Sequence, residues 1–140
     1  MSTPMALDAT GRTSPASRSD RLLAPLCLIL ASSLLRLRFG RVLALARWTT
    51  RRCRRPATLA EATSMTSAIR AAARHRAGRV ACLERSLATV ILAGLHRRSV
   101  QWCIGARLMP YASHAWVELD GHPVGEPEHR DRPYHVLVRI

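Results

Sequence analysis

The hydrophobic period of this chain changes once, near Ser99, and that change restricts the folds open to it. Before Ser99 apolar residues recur at helical spacing, as Leu83, Leu87, Val90, Ile91 and Leu95 do. After it, Val100–Met109, His114–Leu119 and a last segment ending at Val136–Ile140 alternate as strands do. Helices followed by a short run of strands give an α+β layout, with helices packed on one small antiparallel sheet. A chain of 140 residues builds one core. The expected division is a flexible tail over 1–20, rich in Ser, Thr, Pro and Gly, and one domain over 21–140.

Helix signals divide the N-terminal half. Ser19 or Asp20 can cap a helix over Arg21–Leu37, Gly40 can break it, and Arg41–Trp48 resumes the pattern. Arg51–Pro56 reads as a solvated, charged connector in preference to a nucleic-acid contact. Thr58 with Glu61 forms a capping box for a helix running to about His75, and Gly78 closes it. The apolar run Leu22–Leu35 is about fourteen residues, short of the ~20 that span a bilayer. No cleavage site follows it, so a buried helix is the reading preferred over a signal segment, with contact at a membrane surface the lesser alternative.

Chemistry enters at Cys82, where Ala81 or Cys82 starts the next helix. A thiol there meets unpaired N–H groups and the positive end of the helix dipole, both of which favour thiolate. His114 opens a strand downstream and can form an ion pair with that thiolate and deliver a proton. Cys-then-His is the order of papain-like and transglutaminase-like enzymes. A structural cysteine is the commoner fate of a lone Cys, and Cys27 and Cys103 read that way. Cys53 lies in the charged connector. None of the four cysteines shows zinc-ligand spacing, and no export signal argues for disulfides, so free thiols in the cytoplasm are expected. His75, His96, His122, His129 and His135 show no metal-ligand spacing and read as surface or edge residues. No metal, no cofactor and, in the absence of a Gly-rich phosphate loop, no ATP use is expected.

The string from Cys82 through Glu84-Arg85-Ser86, Ile104-Gly105-Ala106-Arg107, Pro110, His114-Ala115-Trp116-Val117-Glu118, Asp120-Gly121 and Pro123-Val124 resembles the lasso peptide leader peptidases. These are the transglutaminase-like, microcin-processing cysteine proteases of bacterial lasso peptide gene clusters. The resemblance runs from about Trp48 to Ile140, with a catalytic core over about 79–140. It implies removal of the leader from a lasso precursor peptide. It also implies a separate small leader-recognition protein and an asparagine-synthetase-like macrolactam cyclase as partners. The family places an aspartate after the histidine strand, and Glu126 occupies the matching position. A three-residue loop Leu119-Asp120-Gly121 would set Glu118 opposite His122 and His114 opposite Glu126; a two-residue loop would turn Glu126 to the other face. The expected catalytic set is therefore Cys82, His114 and Glu126. Trp116 and Val117 read as packing residues and Glu118 as a surface charge.

Other chemistry stays open at this level. The same Cys–His pair could serve a transglutaminase or amidase that passes the acyl group to an amine. All 22 basic residues are arginine against 9 acids, so a non-enzymatic basic adaptor for nucleic acid or an acidic partner is the remaining class. For the enzyme reading no nucleic-acid partner is expected.

Overall fold

A computed structural model describes residues 15–76, 78, 80–126 and 133–140. Residues 1–14 of the tail expected over 1–20, and His129, lie outside the described residues. The order is α1 (Arg18–Leu34), α2 (Phe39–Arg51), β1 (Arg55–Pro56), α3 (Leu59–Arg74), α4 (Cys82–Leu95), β2 (Arg98–Ser99), β3 (Gln101–Leu108), β4 (Tyr111–Leu119), β5 (His122–Pro123) and β6 (His135–Arg139). Strands β5-β4-β3-β6 form one antiparallel sheet, and β1 and β2 a parallel two-residue pair. The α+β layout read from the change of period is the fold.

The first helix begins earlier than its sequence signals suggest. Ser17 is the cap, its side chain accepting the Asp20 N–H at 3.2 Å. Asp20 is buried, accepts a 2.6 Å bond from Ser64 Oγ on α3, and pairs with His96 Nε2 at 2.7 Å. Residues 15–20 thus belong to the folded part, and His96, a half-buried residue, is the partner of a buried carboxylate. The break between α1 and α2 falls at 35–38; Gly40 lies inside α2. The α3 signals were sufficient: Thr58 and Glu61 complete the capping box. Glu61 also takes Arg55 at 3.0 and 2.8 Å and Arg98 at 3.3 Å, tying β1 and β2 to α3. The Arg55 guanidinium and the Thr58 N–H hold its carboxyl down at about 2.

Helix α4 packs between the other helices and the sheet. Leu87, Ala88, Val90, Leu92 and Ala93 are buried, while Leu95 projects outward. Trp102 on β3 is fully buried and donates Nε1–H to Ser86 Oγ at 2.9 Å, satisfying both groups in the core. Trp102 is paired with Val117 on β4. The face bearing Trp102, Val117 and Ala115 therefore lies against α4, and His114, Trp116 and Glu118 share the opposite face.

Strand β4 starts at Tyr111, three residues before the expected start, because the β3–β4 hairpin turns on Met109-Pro110 alone. The next turn differs as well. Asp120 and Gly121 have φ of +50° and +79°, and Leu119 pairs with His122. This is a two-residue connection whose twist matches the strands. The expected three-residue loop, with Glu118 opposite His122 and His114 opposite Glu126, is not formed; Glu118 faces Pro123.

Candidate active site

Helix α4 starts at Cys82 with Ala81 as its cap residue. Alanine has no side-chain acceptor, so the first-turn N–H groups are left without a capping oxygen. The omission costs about 1 kcal/mol of helix stability. It also leaves donors and the positive helix end at the thiol. Only Glu84 acts as a cap here, its Oε2 accepting the Ala81 N–H at 3.3 Å.

A second donor comes from the sheet edge. Val124 N–H bonds Val117 O at 2.9 Å, so the odd residues of β4 aim their backbone groups toward β5. β5 is only two residues long and stops short of Ala115. The Ala115 N–H is used by Cys82 Sγ instead. The His114 ring and the Leu83 N–H complete the thiol's partners. Burial pushes the thiol up, but these three donors outweigh it, and Cys82 lies below the ordinary thiol value. Cys27 and Cys103 are instead pushed up to about 11, chiefly by burial, and burial also raises Cys53.

Glu126 reaches His114 by a route the hairpin register does not supply. An unbroken ladder in the observed register would set Glu126 beside Ala115, on the wrong face. Gly125 breaks the ladder with φ +76°, a conformation glycine adopts without strain. A Cβ there would come within 2.6 Å of Thr66 Cγ2, and Arg70 Nη2 donates to Gly125 O at 2.5 Å. Helix α3 thus holds the kink, and Glu126 Oε2 sits 2.5 Å from His114 Nε2. That leaves the other ring nitrogen for the thiol. The Glu126 hydrogen bond raises His114 above its ordinary value, against the opposing effect of burial. Lowered thiol and raised imidazole together favour a thiolate–imidazolium pair. Cys82, Glu126, Arg70, Arg85 and Thr66 line one small cavity.

Sequence reasoning misplaced Glu118. It is buried at 4% exposure, accepts Trp116 Nε1–H at 2.8 Å and pairs with Arg139 at 3.1 Å. Trp116 stacks on His114, with ring centroids 5.6 Å apart and planes 15° from parallel. Tyr134 flanks the same imidazole at 5.4 Å. Gly105, opposite His114 on β3, admits the Trp116 ring, since a Cβ would lie 2.9 Å from it. The signal was the alternation itself: residues 114, 116 and 118 share a face, so a carboxylate at 118 falls beside the indole. Glu118→Ala should leave the indole N–H unpaired and cost about 1–3 kcal/mol of stability. Glu118→Gln keeps an acceptor and should lose less; melting curves of the two variants test this.

Among the described residues, no group of His, Cys, Asp and Glu is placed to hold a metal ion. No helix among them is long and apolar enough to cross a membrane.

A cysteine at a helix start, beside a strand histidine with a carboxylate on its far nitrogen, defines a class of thiol acyl-transfer sites. The family model described as transglutaminase-like superfamily matches residues 26–139, and the chain belongs to that superfamily. Membership suggests a cysteine-dependent peptidase or acyltransferase. No curated protein and no solved structure matches the chain.

Proposed function

We propose that this protein is a cysteine peptidase that removes the leader from a lasso precursor peptide. In this reading Cys82, His114 and Glu126 are its catalytic set. The observation that carries the chemistry is the environment of Cys82: one hydrogen-bond donor from the start of α4 and two from β4, one of these a histidine held by a carboxylate. The specific substrate rests on the sequence resemblance from Cys82 to Val124.

The chemistry follows from these groups. Cys82 Sγ⁻ attacks the scissile carbonyl, and the electron pair moves to oxygen. Uncapped N–H groups at the start of α4, that of Cys82 included, receive the oxyanion. As the C–N bond breaks, the imidazolium of His114 gives its proton to the leaving amine. Neutral His114 then takes a proton from water, which attacks the thioester and releases the carboxylate and the Cys82 thiolate. Glu126 keeps the ring oriented and favours its charged form. Trp116 fixes the plane of the imidazole by stacking.

A small recognition protein would present the leader, and an asparagine-synthetase-like cyclase would close the freed core peptide. The chain alone should cut precursor slowly, and adding the recognition protein should raise the rate through effective concentration. The test is mass analysis of the products. Free leader and free core support the reading. Leader joined to an added amine means acyl transfer instead, and rapid cleavage indifferent to the leader sequence removes the lasso assignment.

A further inference from the structure

Helix α1 is apolar on two opposite sides. At 100° per residue, Ala24, Leu28 and Ala31 face the core, and Leu22, Leu26 and Ile29 lie diametrically across from them. The outer three are 77%, 62% and 57% exposed. A helix on a protein surface ordinarily carries polar residues there. Leu30, Leu37, Phe39, Leu45 and Trp48 extend the apolar surface along α1 and α2.

The charge around this surface has one sign. Residues 18–54 contain nine arginines (Arg18, Arg21, Arg36, Arg38, Arg41, Arg47, Arg51, Arg52 and Arg54), all exposed. Their one acid, Asp20, is buried against His96. A second copy of this chain would set nine arginines against nine, so self-association through this face is opposed. The hydroxyls on the face point inward to their own helix. Ser33 Oγ donates to Ile29 O at 2.9 Å, and Thr49 Oγ1 to Leu45 O at 2.9 Å. Side chains satisfied in this way need no partner across an interface and enter an apolar phase at little cost. Trp48, half-exposed with the Arg52 guanidinium 4.3 Å above its ring, combines an apolar body with a polar neighbour, as suits a membrane–water boundary.

We propose that the α1–α2 face docks on an anionic lipid surface, with α1 lying in the plane of the membrane and the arginines on the headgroups. The apolar face, the single-sign rim and the internally bonded hydroxyls favour lipid over a protein partner, whose rim would offer polar groups to be met. Cys82 stands at the far end of α4 from Leu95, about 20 Å away at 1.5 Å per residue. Vesicle binding does not depend on which reaction Cys82 carries out.

The test is sedimentation of the full chain with vesicles of phosphatidylcholine alone, and with vesicles in which one lipid in three is phosphatidylglycerol. Wild type should partition onto the anionic vesicles about tenfold more strongly, with the preference shrinking at high salt. Trp102 and Trp116 are buried, so a blue shift in emission would report Trp48 entering the interface. Leu26→Glu with Ile29→Glu should reduce binding about tenfold with the melting curve unchanged. Arg38→Ser with Arg41→Ser should lose at least about fivefold on anionic vesicles only. Equal binding to neutral and anionic vesicles overturns the proposal. So does undiminished binding by the double glutamate variant, which would mean bulk cationic adsorption. So too does self-association of wild type that the same variant abolishes while no vesicle binds, which would make the face a protein interface.

Discussion

Cys82→Ala should abolish turnover in a protein that still folds, a loss of roughly 10⁴-fold or more, because Cys82 is the proposed nucleophile and alanine cannot form the acyl-enzyme. The thiol is half-buried and packs against the His114 and Ala115 end of β4, and alanine removes only its sulfur. Its removal also deletes the pair that favours imidazolium at His114. Cys27→Ala and Cys103→Ala should act on stability, since both side chains are buried, Cys27 in the apolar core and Cys103 beside Glu118 and Arg139. Iodoacetamide separates these cases without an activity assay. Alkylation follows the thiolate, so at neutral pH Cys82 should react first, while Cys27 and Cys103, held near 11 and buried, should react only on unfolding. Preferential labelling of another cysteine in the native protein, with turnover retained, would sink the assignment.

The sequence carried the parts of the fold that short-range physics decides. Alternation after Ser99 marks the strands, and the Thr58–Glu61 box marks α3 to the residue. Cys82 at a helix start could be read because only the cap residue and the following period are needed. What could not be read depends on partners far along the chain. Asp20 looks like a cap residue until His96 and Ser64 are brought to it across 76 and 44 positions. Glu118 looks like a surface charge until β6 supplies Arg139. Glu126 shows the difference most clearly. It lies beside His114, but the three-residue hairpin loop that was to put it there does not exist. The contact comes from Gly125, whose left-handed backbone is held by Arg70 and crowded by Thr66, both on α3. A local pattern can reach a correct neighbour by an incorrect register when a later kink compensates.

That geometry makes Glu126→Gln the most discriminating substitution after Cys82. Glutamine keeps the length and can still bond His114 Nε2, but it replaces the carboxylate whose hydrogen bond, seconded by its charge, raises the imidazole above its ordinary value. Turnover should fall roughly 10²-fold, less than for Cys82→Ala, because in the proposed mechanism Glu126 assists the proton transfer and does not take part in bond formation. The pH profile shows which role it has. Wild type should be active between loss of the Cys82 proton on the acid side and loss of the His114 proton on the alkaline side, the two titrating as a coupled pair. With the carboxylate gone, His114 deprotonates at lower pH, so the alkaline limb should move toward acid. Stability follows the same sign. The imidazolium–Glu126 pair contributes fully below the unfolded histidine value and is lost as pH rises through the raised folded value. Wild type should therefore exceed Glu126→Gln in melting temperature near pH 6 and approach it by pH ~9. Glu126→Asp keeps the charge on a shorter arm and should hold the alkaline limb closer to wild type than Gln does. Asp120→Asn is the control: its φ of +50° suits asparagine, and turnover should stay near normal. An unmoved alkaline limb in Glu126→Gln, with turnover lost, would show that Glu126 only braces the Gly125 kink and leaves the charge on His114 to other groups.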